Sequence, residues 1–161
     1  MLIINVAMRT ETKESTIYSI GEVAKLLGVS VQILRLYEER GLVLIQKSAG
    51  NQRIYTEDDI ERIRCIRNAI NEQKISMEGI RKIHSLIPCW EMVSCPPKKR
   101  NECPAYGSHD AGCWTFEQKN TDCATRNCRS CKVYQLSSDC GNIKKLIQRS
   151  LSLSECKDSS S

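Results

Sequence analysis

The first half of the chain alternates between helical hydrophobic spacing and short turn signals. Ser19 is a good helix N-cap, apolar residues follow it at helical spacing, and Gly28 supplies the left-handed conformation that ends a helix. Ser30 caps a second predicted helix, Val31 to Arg40, which Gly41 closes. Two short helices joined by a Gly-Val-Ser turn are typical of a helix-turn-helix, although an ordinary helical hairpin has the same periodicity.

The pattern after the second helix predicts a β-hairpin. Leu42 to Ile45 is a short apolar run, turn-forming residues follow it, and Arg53, Ile54 and Tyr55 resume an extended pattern. The hairpin has a basic, polar tip. It therefore corresponds to the wing of a winged helix-turn-helix.

Two further helices are predicted before the composition changes. Thr56 and Asp59 form a capping box for a third helix, from about Glu57 to Asn71, whose isoleucines face the core. Ser76 caps a fourth helix, which Pro88 ends. The histidine in this fourth helix is predicted to be a surface or packing residue and not a ligand.

Cysteine usage divides the chain into two unlike parts. Residues 1–88 hold one cysteine, Cys65, expected on the face of the third helix opposite to its isoleucines, whereas residues 89–140 hold eight. The second part has few large apolar side chains, so it needs disulfides or bound metal to stabilise its fold. We expect a mainly α fold, a winged helix-turn-helix followed by a small irregular cysteine-rich module. The predicted parts are a flexible leader (1–17), a DNA-binding domain (18–88), the cysteine-rich module (89–140), an amphipathic helix (141–153) and a disordered tail (154–161).

The chain carries no pattern of a signal peptide or of a transmembrane helix. We therefore expect a cytoplasmic protein with no membrane partner, in a compartment where thiols stay reduced. Clustered cysteines then indicate ligands or redox groups, and a secreted disulfide scaffold is the alternative. The net charge of +5 is compatible with nucleic-acid binding, but the basic residues alternate with acidic ones, as on any solvated surface.

The segment Tyr18–Ser30, YSIGEVAKLLGVS, resembles the opening of the MerR family of bacterial transcriptional regulators. The resemblance continues through Leu34–Glu38 (LRLYE), Asn51–Tyr55 (NQRIY) and Asp58–Ile63 (DDIERI), and it covers residues 18 to about 88. The LRLYE motif resembles that of the subgroup that contains the heat-shock repressors. The resemblance implies a regulator that binds double-stranded promoter DNA, acts on RNA polymerase indirectly and is not an enzyme.

In the family, the second helix lies in the major groove and presents its N-terminal residues to base edges. The resemblance therefore places Ser30, Val31 and Gln32 at that end. Gln32 can read a base edge, whereas Ser30 can bond a phosphate or only cap the helix.

Other positions match the side of the family's interface that faces the DNA backbone. Arg35, Tyr37 and Arg53 are there, although Arg35 can instead be structural, paired with a neighbouring glutamate. Lys47 is a phosphate contact by charge and position, and Tyr55 is either a contact or wing packing. The candidate DNA-binding residues are Ser30, Gln32, Arg35, Tyr37, Lys47, Arg53 and Tyr55.

The family usually continues into a long helix that forms an antiparallel coiled coil between two subunits. Pro88-Cys89 interrupts this chain where that helix would begin. Binding to a symmetric operator still favours a homodimer, which would then need a different contact.

The cysteine-rich part contains two Cys-Trp pairs, Cys89-Trp90 and Cys113-Trp114, and resembles a small module of bacterial sensory and regulatory proteins. The spacing of Cys128 and Cys131 lets two thiolates bind one metal ion. Thiolates suit zinc, copper(I) or an iron–sulfur cluster, although the ferredoxin spacings are absent. The candidate metal ligands are Cys89, Cys95, Cys103, Cys113, Cys123, Cys128 and Cys131.

Three roles are open for these cysteines. A sensing cluster, either iron–sulfur or zinc, would control DNA binding. A structural zinc site would only stabilise the fold of a protein-interaction module. A catalytic thiol pair would make a reductase, but no thioredoxin-like pattern surrounds Cys128 and Cys131.

Overall fold

The computed structural model describes residues 16–117 and 123–138, together with Lys144, Lys145 and Gln148. The helices of these segments are α1 Ile20–Leu27, α2 Val31–Glu39, α3 Glu57–Asn71, α4 Met77–Ser85, α5 Cys89–Met92, α6 Pro97–Arg100 and α7 Lys132–Leu136. Strands β1 Tyr18–Ser19, β2 Gln46–Lys47 and β3 Arg53–Tyr55 form an antiparallel sheet in the order β1-β3-β2. The predicted mainly α winged helix-turn-helix is confirmed.

The first four helices begin where the capping signals predict. Ser19, Ser30 and Ser76 each accept a hydrogen bond from the backbone N–H three residues further on. At α3, the Thr56 N–H donates to Asp59 Oδ2 at 2.8 Å, which is one half of the predicted capping box. These helix starts depend on neighbouring residues only, which is why the sequence predicts them well.

The wing is shorter than the predicted hairpin. Its paired strands are Gln46–Lys47 and Arg53–Tyr55, with Lys47 opposite Arg53. Leu42 and Val43, expected in a strand, are outside the sheet and buried in the core, because an unbroken apolar run has no polar side to turn toward water. The sheet gains an unpredicted strand instead, Tyr18–Ser19, which pairs with β3.

A second, smaller core lies beside that of the winged helix-turn-helix. It is built from Ile87, Trp114, Val133 and Tyr134, all buried. Leu44, from the connection between α2 and β2, also packs against it, as do Cys89, Met92, Val93, Cys113, Cys128 and Cys131. The cysteine-rich part therefore obtains apolar surface from the first half of the chain, which its own composition does not supply.

Cys65 lies at an apolar cavity of about 470 Å³ beside Ile66 and Ile80. It is half-buried and disulfide-bonded. The disulfide departs from the expectation that the thiols of this protein stay reduced. α3 packs against α4, and this brings the isoleucines of α4 to the cavity that Cys65 lines.

The predicted amphipathic helix 141–153 lies outside the described residues, except for Lys144, Lys145 and Gln148, which are helical. Most of the predicted leader and the whole of the predicted tail also lie outside them. None of the helices described is long and apolar enough to cross a membrane.

Gly41 marks a close approach between the two parts of the chain. It ends α2 with a positive φ of 67°, and a Cβ atom there would lie 2.4 Å from Thr115 Cγ2. We therefore expect Gly41→Ala to lower the free energy of unfolding by about 2 kcal/mol or more, from left-handed backbone strain and overpacking together. Urea unfolding at constant pH measures the change.

A second substitution separates the two causes. Thr115→Ser removes the clashing methyl group but keeps the hydroxyl that donates to the Gly112 carbonyl at 2.8 Å, so the double variant should regain the steric part of the loss. Gly21→Ala is the matched control in α1, where no atom lies within 4 Å of the new Cβ, and it should be neutral or slightly stabilising. An equal loss in the single and double variants would contradict the close approach.

Candidate DNA interface and cysteine cluster

The start of α2 presents polar side chains to solvent. Gln32 and Arg35 are exposed and lie three positions apart, so they share one face of the helix. Within the described part of the chain, no carboxylate pairs with Arg35. The Ser30 hydroxyl accepts from the Ile33 N–H at 3.3 Å and therefore serves as the helix cap.

The wing carries two further candidate cations, Lys47 and Arg53. Lys47 is exposed, and Arg53 lies directly opposite it across the β2–β3 pair. Arg53 Nε donates to Glu38 Oε2 at 2.5 Å. Arg53, and not Arg35, is thus the partner of this α2 glutamate, and the ion pair ties the wing to the helix that precedes it.

The two tyrosines among the candidate DNA contacts lie in the core. Tyr37 is 6% exposed and Tyr55 is 0% exposed, and burial raises the pKa of Tyr55 to about 12. The Tyr55 hydroxyl has no hydrogen-bond partner among the described residues. The prediction that these two tyrosines lie on the DNA-facing surface is therefore corrected. Both belong to the buried core of the domain, together with Leu34 and Ile60.

Four of the seven candidate cysteines converge on one small cavity. Cys113, Cys123, Cys128 and Cys131 line a space of about 20 Å³, beside Trp114, Arg126, Val133 and Tyr134. Such a volume is on the scale of one water molecule or ion. Cys95 and Cys103 do not line this cavity.

A fifth cysteine joins the cluster through a thiol–thiol contact. A hydrogen bond between Cys89 and Cys113 lowers the pKa of Cys89 to about 7. The same bond, together with burial, raises the pKa of Cys113. Burial also raises the pKa of Cys123 to about 11. The Cys89–Cys113 hydrogen bond therefore moves the pKa values of its two thiols in opposite directions.

The cluster fits a metal in its donor chemistry but not in its present side-chain geometry. Thiolates are soft ligands that suit zinc, copper(I) and iron–sulfur clusters. In residues 16–117 and 123–138, however, no three Cys, His, Asp or Glu side chains are placed to hold a metal ion. Binding would require the lining thiols to lose protons and reorient.

Residues adjacent to these cysteines connect the cluster to the winged helix-turn-helix. The Trp114 indole Nε1 donates to the Gly41 carbonyl at 2.8 Å. The Arg129 guanidinium donates to Asp59 Oδ1 and Oδ2 at 2.9 and 2.7 Å, and also to the Leu44 carbonyl. The Tyr134 hydroxyl accepts from the Leu44 N–H at 2.7 Å. Sequence reasoning did not identify these three side chains, and their signal is their position within three residues of a cysteine.

A buried arginine, Arg62 of α3, strengthens the same contact region. It donates to the Ser137 hydroxyl at 2.5 Å and to the Tyr134 carbonyl, and its guanidinium lies 3.6 Å from the centre of the Tyr134 ring. The Trp114 ring meets the Tyr134 ring edge to face at 5.1 Å. These contacts bury the charge of Arg62 among acceptors and aromatic rings.

Comparison with known proteins assigns the first half of this architecture. Residues 18–86 match the family described as "MerR HTH family regulatory protein". HspR of Streptomyces coelicolor is 35% identical over 75 residues, which are 47% of this chain and 50% of that protein. The transcriptional regulator ZntR of Escherichia coli K12 is 35% identical over 83 residues, which are 51% of this chain and 58% of that protein.

A third relative, named as a SoxR homolog and transcriptional activator of Chromobacterium violaceum, is 47% identical over 57 residues, covering 35% of this chain and 38% of that protein. The chain thus spans about half or less of the length of these relatives. No solved structure matches it. The MerR-type match ends at residue 86, so the cysteine cluster lies wholly outside it.

His84 lies where the MerR-type domain meets the cysteine cluster. It is 5% exposed, and its ring lies 5.2 Å from the Trp114 ring. Burial lowers its pKa to about 4; the charge of Arg62 adds to this effect and a backbone hydrogen bond with Ser137 opposes it. The predicted packing role of His84 is thereby confirmed.

The neutral, buried His84 makes stability depend on pH. The unfolded chain binds a proton at this residue below about pH 6.5, whereas the folded protein resists protonation down to about pH 4. Stability should therefore fall as pH decreases through this window, by about 2 kcal/mol between pH 7 and pH 5. Urea unfolding of the wild type and His84→Gln at both pH values measures it, and His109→Gln, on an exposed histidine, is the control. An equal pH dependence in His84→Gln would show that another group is responsible.

Proposed function

We propose that the protein is a cytoplasmic transcriptional regulator that binds double-stranded promoter DNA through α2 and the wing. The observation that carries this proposal is the pair Gln32 and Arg35, exposed on one face at the start of α2, in a segment that matches the MerR family. The relative ZntR, which is named as a transcriptional regulator and is 35% identical over 83 residues, supports it.

Each candidate contact has a separate task in this proposal. Gln32 reads a base edge, because its amide can both donate and accept. Arg35 and Lys47 neutralise phosphates, which gives affinity without sequence preference. Arg53 acts partly through its ion pair with Glu38, which fixes the wing against α2. Ser30 caps α2 and so fixes the end that enters the groove.

Further partners follow from the same proposal. Control of transcription requires an indirect effect on RNA polymerase, and repression and promoter distortion are both compatible with it. A symmetric operator would recruit a homodimer. α4 ends at Ser85 and is followed by two four-residue helices, so the dimer contact would not be a long coiled coil that continues from this point.

We propose that the cysteine module binds a metal ion or an iron–sulfur cluster. The supporting observation is the convergence of Cys113, Cys123, Cys128 and Cys131 on one cavity, with Cys89 bonded to Cys113. The metal would supply folding free energy to the module and a signal that depends on its occupancy. The second candidate role is a structural zinc staple in a protein-interaction module, which the small volume of the cavity also accommodates.

DNA binding should depend on the charges of α2 and the wing. Arg35→Ala and Lys47→Ala should each weaken binding to all duplexes and reduce the slope of log affinity against log salt by about one unit. Gln32→Ala should relax sequence preference instead. Fluorescence anisotropy measures this over a range of salt concentrations, with one duplex selected from a random pool by the wild type and one unselected duplex.

The control for this experiment is Lys98→Ala. Lys98 is exposed in α6, outside the MerR-type segment, and its loss removes the same charge. If Arg35→Ala and Lys47→Ala change binding no more than Lys98→Ala does, the proposed interface is in the wrong place. If the wild type selects no duplex, the proposed function itself fails.

Metal content should depend on the cysteines of the cavity. Protein purified without oxygen should contain stoichiometric zinc or iron, and Cys128→Ser and Cys131→Ser should lose it, since each removes a thiolate from the pair with diagnostic spacing. Elemental analysis measures the content. An absorption spectrum separates an iron–sulfur cluster, which absorbs visible light, from colourless zinc.

Cys65→Ser is the control variant: Cys65 lies in α3, outside the proposed ligand set, and because it is disulfide-bonded its loss removes none of the thiols of the cysteine cavity, so metal content should not change. Wild-type protein without any stoichiometric metal would refute the metal proposal. Metal whose removal leaves DNA affinity unchanged would favour the structural staple over the sensor.

A further inference from the structure

Three side chains of the cysteine module contact one short segment of the MerR-type domain, residues 41–44. Trp114 bonds the carbonyl of Gly41, whereas Tyr134 and Arg129 bond the N–H and the carbonyl of Leu44. This segment connects the end of α2 to the start of β2. It therefore joins the two elements that the proposed function places on DNA.

The backbone of this segment depends on the module for its hydrogen bonds. Leu44 lies outside the sheet, and both of its backbone polar groups are bonded by module side chains. Buried backbone groups are costly to leave unpaired. If the module moved away, the segment would have to find new partners, and the start of β2 would move with it.

The side chains that hold the segment are adjacent in sequence to the clustered thiols. Trp114 follows Cys113, and Arg129 lies between Cys128 and Cys131 in one tight turn. Trp114 and Tyr134 also line the cysteine cavity themselves. A change in the arrangement of the thiols therefore acts directly on the residues that hold Gly41 and Leu44.

We propose that the cysteine module is a clamp on residues 41–44, through which the state of the thiol cluster sets the position of the wing and the affinity for DNA. This inference rests on the proposed DNA-binding function and assigns Arg129 as a positioning residue. With the clamp closed, the wing is held ready for the duplex, and less ordering is needed on binding. Opening the clamp lowers the affinity.

The first test needs no DNA. Hydrogen exchange followed by mass spectrometry reports on the Leu44 amide, which donates to Tyr134. Arg129→Gln and Cys131→Ser should accelerate exchange in the peptide 42–47 by about tenfold or more, while α1 keeps its wild-type rate. Lys132→Gln is the matched control, because Lys132 is an exposed cation beside Cys131. Unchanged exchange in 42–47 would overturn the clamp.

The second test uses the reciprocity of coupling between sites. If opening the clamp lowers DNA affinity by a given factor, then bound duplex shifts the open–closed equilibrium toward the closed clamp by the same factor, about five- to 150-fold for typical coupling. We expect the duplex selected by the wild type to slow modification of the module thiols by N-ethylmaleimide. In Arg129→Gln this protection should disappear, and in Arg129→Lys, which restores the charge, it should return in part. A purely structural role for Arg129 would not produce protection that depends on DNA.

The outcomes separate the two proposals. If the wild type binds duplex but Arg129→Gln shows the same protection and the same affinity, the clamp is refuted and the DNA-binding function stands. If the wild type binds no duplex, the DNA-binding function is refuted and the regulatory role of the clamp with it. Faster exchange in 42–47, with lower affinity and lost protection in Arg129→Gln, supports both.

Discussion

The ion pair between Arg129 and Asp59 is the interaction on which this structure depends. The Asp59 side chain is 3% exposed, and a buried carboxylate is stable only when it is paired and hydrogen-bonded. Asp59 accepts from Thr56 at the start of α3 and from Arg129 through both of its oxygens. Because Arg129 also bonds the Leu44 carbonyl, one guanidinium joins the start of α3, the approach to the wing and the turn between two cysteines.

The sequence predicts those secondary-structure elements that are determined by residues close to them in the chain. The starts of α1 to α4 follow from Ser19, Ser30, Thr56 and Ser76, since a cap and the helix it starts lie within one turn. The hairpin was predicted too long, because Leu42 and Val43 pack into the core of the first half and the backbone of Leu44 bonds to side chains 85 and 90 positions further along the chain. No periodicity within the first half indicates the bonds of Leu44.

The candidate site was predictable in its residue types and less so in its geometry. The resemblance to the MerR family led to α2 and the wing, where Gln32, Arg35 and Lys47 are exposed. It could not show that Tyr37 and Tyr55 face the core, since an aromatic residue can serve either packing or a surface contact. For the cysteines, composition indicated a cluster, but the cavity is also shaped by Trp114 and Tyr134, whose packing no spacing rule describes.

The long sequence separation of the clamp contacts has a consequence for biosynthesis. Gly41 is bonded to a residue 73 positions later, and Leu44 to one 90 positions later. A ribosome therefore completes α1 to α4 well before the side chains that hold residues 41–44 have left the exit tunnel. A chain interrupted between these positions would therefore lack the side chains that bond Gly41 and Leu44.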